Sequence, residues 1–83
     1  MISGELKNMK DIRKILAINL KKFRNEKNLS QEKLAFLAGF HRTYISFLEC
    51  EKRNITIENL AKLAEILGIE PYELLLEGDE YSE

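Results

Sequence analysis

Leu29-Ser30-Gln31-Glu32-Lys33-Leu34-Ala35-Phe36-Leu37-Ala38-Gly39-Phe40-His41-Arg42-Thr43-Tyr44-Ile45-Ser46-Phe47-Leu48-Glu49 is the stretch that decides the fold. Leu34, Ala35 and Ala38 keep helical spacing, Gly39 supplies a turn, and Ile45 and Leu48 return apolar groups three residues apart on a second short helix. Ser30 caps the first of these helices, its hydroxyl accepting from backbone N–H groups that have no partner within the helix. With Ile45 and Leu48 turned inward, Arg42, Thr43 and Ser46 are left pointing outward. Two helices joined by a tight turn, with a polar row on the outside of the second, form a shape able to enter a DNA groove.

Upstream, Ile12, Leu16, Leu20 and Phe23 recur every three to four residues, while Arg13, Lys14, Lys21, Lys22 and Arg24 take the other face. This spacing predicts a long amphipathic first helix from about Asp11 to Lys27, capped by Asn8 or Asp11 and ended by Asn28 in a left-handed conformation. Residues 1–9 show no period and read as a flexible lead-in. His41 sits at the cap position of the third helix, expected from Arg42 to about Cys50. Beyond the loop Glu51 to Ile55, Thr56 caps a fourth helix marked by Ile57, Leu60, Leu63, Ala64 and Leu67 and closed by Gly68. Pro71 suits the first position of a short fifth helix carrying Tyr72, Leu74 and Leu75. The expectation is an all-α, compact five-helix bundle over residues 10–77, with an acidic tail over 78–83.

Eighty-three residues leave room for one domain with a modest core. A hydrophobic share of 45% beside 33% charged residues excludes the disordered class. No apolar run approaches the roughly 20 residues that span a bilayer, and the N-terminus lacks the order of a signal peptide, so a cytoplasmic protein without membrane contact is expected. Cys50 is the single cysteine and His41 the single histidine. No internal disulfide or cysteine-based zinc site is possible, and neither metal nor cofactor is expected. His41 has no nucleophile, carboxylate pair or metal partner at a meaningful spacing, which argues against an enzyme.

The net charge of -1 conceals a division along the chain. Residues 1–20 carry four basic and two acidic groups (+2), residues 21–53 eight and four (+4), and residues 54–83 one and eight (-7). The basic share coincides with the two-helix stretch, which points to one surface for a polyanion and another for something else.

With Leu20 to Arg24 before it, the opening Leu29-Ser30-Gln31-Glu32-Lys33-Leu34-Ala35 and the later Ile45-Ser46 with Glu49 resemble the Cro/Xre-type helix-turn-helix family, which has a lambda-repressor-like fold. The resemblance covers roughly residues 15–76. Arg42-Thr43-Tyr44-Ile45-Ser46 followed by Arg53-Asn54-Ile55-Thr56-Ile57 is also similar to the controller proteins of restriction-modification systems. Three positions depart from the pattern. Cys50 replaces a frequent basic residue and Ile55 a common proline. Glu51 stands where relatives often place Gly or Asn, and on an unchanged backbone would carry roughly 1–2 kcal/mol of left-handed strain.

The resemblance implies a transcriptional regulator that binds double-stranded DNA as a homodimer on a near-palindromic operator, the helix from Arg42 to Cys50 lying in the major groove. Arg42, Thr43, Ser46 and Phe47 are then the base-contacting candidates. The Arg42 guanidinium suits guanine O6 and N7, against the alternative of a solvated arginine on a phosphate. Phe47 either touches thymine methyls or packs inward. Phosphate candidates are Gln31, Lys33, Tyr44, Lys52, Arg53 and Asn54, against the plainer reading of solvated charge. The family pattern also implies a pairing of Glu49 with Arg24. Ile66, Tyr72 and Leu75 exceed what one small core needs and are the dimer-interface candidates. The rival readings are an antitoxin of the same fold, with a protein partner, and an interaction module anchored by Phe36 and Phe47.

Overall fold

The computed structural model describes residues 2–78, with side chains over 12–78. The chain runs α1 (Ile2–Glu26), α2 (Gln31–Ala38), α3 (Arg42–Glu49), α4 (Ile57–Leu67) and a 3-10 turn (Pro71–Leu75). No strand occurs among the described residues. The fold is thus all-helical with four α-helices, and the expected fifth helix is a 3-10 turn. Its five residues are too few for a ladder of i to i-4 bonds, and Glu73 N–H bonds instead to Glu70 O three residues back at 2.9 Å. The Glu73 carboxylate returns to accept from Glu70 N–H at 2.9 Å, closing a capping box around Pro71.

The helix ends follow the local chemistry. Ser30 Oγ accepts from Lys33 N–H at 2.9 Å and Thr56 Oγ1 from Asn59 N–H at 3.1 Å, so α2 and α4 start where their caps were expected. Asn28, Gly39 and Gly68 take the left-handed backbone that closes α1, α2 and α4, with φ of 57°, 77° and 71°. At α3 the cap differs. His41 has the extended backbone of a cap residue, yet its imidazole makes no cap hydrogen bond. The start of α1 differs too: the helix already begins at Ile2, so residues 2–9 continue it and Asn8 and Asp11 lie inside it. The acidic tail beyond Gly78 lies outside the described residues.

Leu20, Leu34, Ile45, Leu48, Leu63 and Leu74 are sealed from solvent and draw at least one side chain from every element. Each contributes about 1.5–3 kcal/mol by leaving water. Ile12 and Ile57, expected on the apolar stripes of α1 and α4, are exposed instead. Ile57 is the first residue of α4, ahead of the turn that brings Leu60 and Leu63 against the core. Asn19, next to buried Leu20 on α1, is itself 3% exposed and donates from Nδ2 to Leu74 O at 3.0 Å and Leu76 O at 2.7 Å. It thereby ties the 3-10 turn to α1.

Candidate nucleic-acid interface

The turn between α2 and α3 is held by Phe40 N–H donating to Ala35 O at 2.8 Å across Gly39. A Cβ on Gly39 would meet nothing within 4 Å, so glycine is required there by the left-handed φ and not by space. Beyond the turn, Ile45, Leu48 and Glu49 are buried on one side of α3. Arg42, Thr43 and Phe47 are exposed and Ser46 is half-buried, so the four base-contacting candidates share the outward side. Phe47 retains 38% exposure, so its ring is partly covered and partly open to solvent.

The far end of α3 is fixed from two directions. Arg24 on α1 donates from Nε to Glu49 Oε2 at 2.7 Å and from Nη2 to Glu49 Oε1 at 3.0 Å, as the sequence pattern implied. Its Nη1 also donates to Leu29 O at 2.7 Å. Gln31, the first residue of α2, donates from Nε2 to Glu49 Oε1 at 3.0 Å. One amide N–H of Gln31 is used in this contact, and the other remains beside the N-terminus of α2. Three elements therefore meet at one carboxylate, and α3 has a fixed pose relative to the start of α2.

The near end of α3 borders an open groove of about 500 Å³ lined by Gly39, Phe40, His41, Thr43, Tyr44, Arg53 and Asn59. Tyr44 is half-buried, its ring meeting Phe40 edge-on at 5.0 Å and carrying the Arg53 guanidinium 5.1 Å from its centre. Its hydroxyl accepts from Asn59 Nδ2 at 3.0 Å. Lys33 rests its ammonium over exposed Phe36 at 5.7 Å, and Lys62 lies over Phe40 at 5.6 Å. Lys52, Arg53 and Asn54 are exposed on the loop leaving α3. That loop keeps the unfavourable backbone anticipated for it, since Glu51 has φ of 65°. Asn59 was missed by sequence reasoning; an asparagine within a helix, where it is a poor helix former, was the available signal.

The acidic half of the chain carries the dimer-interface candidates, of which Leu75 lines a groove with Arg53 and Asn54. Tyr72 is 62% exposed and Leu75 is also exposed, while Ile66 is half-buried against the core. Leu76, not singled out from sequence, is exposed beside them in the chain. Among the described residues no cluster of His, Cys, Asp and Glu is grouped to hold a metal, and no helix is long and apolar enough to cross a membrane.

A glycine turn setting a polar helix on the surface, with basic residues at both ends of that helix, defines a helix-turn-helix protein. The helix-turn-helix family profile matches residues 20–74, and the chain belongs to that family, in its Cro/Xre branch. Control protein C.SmaI of Serratia marcescens is 48% identical over 65 residues, which are 78% of this chain and 77% of that protein. The crystal structure of the hypothetical transcription factor NHTF from Neisseria is 42% identical and superposes with a TM-score of 0.82, covering 88% of this chain and 84% of its own. The restriction-modification controller protein C.AhdI from Aeromonas hydrophila is 45% identical with a TM-score of 0.70, over 72% and 91% of the two chains. The similarity to controller proteins noted in the residues of α3 thus extends across the domain.

Proposed function

We propose that the chain is a sequence-specific DNA-binding transcriptional regulator that acts as a homodimer, each α3 entering a major groove of a near-palindromic operator. The observation that carries this reading is the outward row of Arg42, Thr43, Ser46 and Phe47 on a helix fixed at both ends. Arg42 and Thr43 stand at the helix start, the part that reaches base edges. Gln31, Lys33, Tyr44, Lys52, Arg53 and Asn54 surround the row and supply phosphate contacts, which position the protein without carrying sequence information. Tyr72, Leu75 and Ile66 form the self-association face, on the acidic half of the chain.

The activity is binding, not catalysis, and its setting is the cytoplasm. The antitoxin and interaction-module readings have no support from the controller proteins and transcription factor that this chain resembles. Selection of bound duplexes from a random pool tests the proposal. The expected product is an inverted repeat with half-site centres about 34 Å apart, one turn of the duplex. Recovery of no duplex above background at low salt would overturn it.

A further inference from the structure

We infer that Asn59 is a positioning residue for DNA binding, holding the Tyr44 hydroxyl so that it offers its proton to a backbone phosphate. The inference rests on the DNA-binding reading above. A phenol both donates and accepts, and a free one spins its proton among whatever acceptors pass. Here Asn59 Nδ2 fills an acceptor site of Tyr44 Oη at 3.0 Å, which leaves the phenolic proton outside that bond. The ring is confined as well, edge-on to Phe40 and under the Arg53 guanidinium.

Asn59 is itself well held. It is the third residue of α4, its backbone N–H donates to Thr56 Oγ1 at 3.1 Å, and the following Leu60 and Leu63 are buried in the core. The hydroxyl is therefore placed by a packed helix and not by the loop that carries Arg53. No acidic side chain lines the adjoining groove, whereas Arg53, His41 and Thr43 do. An oxygen that only accepts, as a phosphate oxygen does, fits the proton on offer beside that guanidinium.

The test uses the full chain and its selected duplex, with single methylphosphonate replacements scanned along the backbone and affinity read by fluorescence anisotropy. In the wild type, one position per half-site should weaken binding about two- to tenfold on replacement because of the lost Tyr44 contact. That penalty should vanish at the same position in Tyr44→Phe and in Asn59→Ala, while penalties elsewhere persist. Asn59→Asp should lose it too, since its carboxylate captures the phenolic proton. An acid in the first turn of α4 favours the helix, so Asp carries the test where Ala fails to fold, as judged by thermal melting. Full retention of the penalty in the Asn59 variants, or a uniform loss at every position, would show that Asn59 only braces α3 against α4 and would overturn the inference. A wild type that binds no duplex overturns both the DNA reading and this one, whereas binding with an unmoved scan overturns this one alone.

Discussion

Arg24 on α1 engages both carboxylate oxygens of Glu49 on α3, at 2.7 and 3.0 Å, and the Glu49 side chain is left only 1% exposed. Removing one partner of such a pair strands a buried charge, at a cost of about 3–5 kcal/mol. Glu49→Ala should therefore shift the urea midpoint strongly downward. Replacing both partners with Arg24→Met and Glu49→Leu should restore most of the loss, because the pair's own attraction mainly offsets its desolvation. A double variant as unstable as the single one would contradict this account.

Arg42 and Arg53 are both exposed, yet they should fail differently. Arg42→Ala should relax preference at one base pair by about 1–3 kcal/mol. Arg53→Ala should weaken all sequences alike and lower the slope of log affinity against log salt by about one. Titrations against a panel of single-base operator variants at several salt concentrations separate the two. Equal losses across every variant for both substitutions would sink the assignment.

Glu51 and Asn28 share a left-handed backbone, with φ of 65° and 57°. Glutamate carries about 1–2 kcal/mol of strain there, and glycine removes it while adding roughly 0.5–1 kcal/mol of chain entropy to the unfolded state. Glu51→Gly should stabilise by about 0.5–1 kcal/mol and raise the melting temperature by roughly 2–8 °C. Asn28→Gly should change little, since asparagine already tolerates the region. Calorimetry that finds the two substitutions equivalent would argue against strain at Glu51.

Tyr72 and Leu75 are exposed in the single chain, so charging them need not disturb its core. Tyr72→Glu combined with Leu75→Glu should move the sedimentation coefficient to that of a monomer while helical content is kept. An unchanged dimer, or a wild type already monomeric with and without DNA, would place self-association elsewhere or deny it.

The elements that read most clearly from sequence are those bounded by strong local chemistry. Ser30, Gly39, Thr56 and Gly68 mark ends that side-chain oxygens or left-handed φ impose whatever the tertiary setting. The outward side of α3 was legible for the same reason, since burying Ile45 and Leu48 leaves Arg42 and Thr43 nowhere else to point. What escaped depends on distant neighbours. The buried role of Asn19 rests on carbonyls 55 and 57 residues away, and the contact of Asn59 with Tyr44 spans 15. Periodicity carries no record of such partners, and it likewise placed Ile12 and Ile57 on stripes that the packing leaves in water.

On α1, Asn19 grips the carbonyls of Leu74 and Leu76, and Arg24, little more than one turn further on, grips Glu49. The reading helix and the segment bearing the proposed self-association face are thus both mounted on α1 by side-chain hydrogen bonds. A dimer of such units behaves as a caliper of fixed gap. An extra base pair between the half-sites turns one of them by about 35° around the duplex axis, and a rigid gauge has no compliance with which to follow. Spacer length then becomes part of the address the protein recognises.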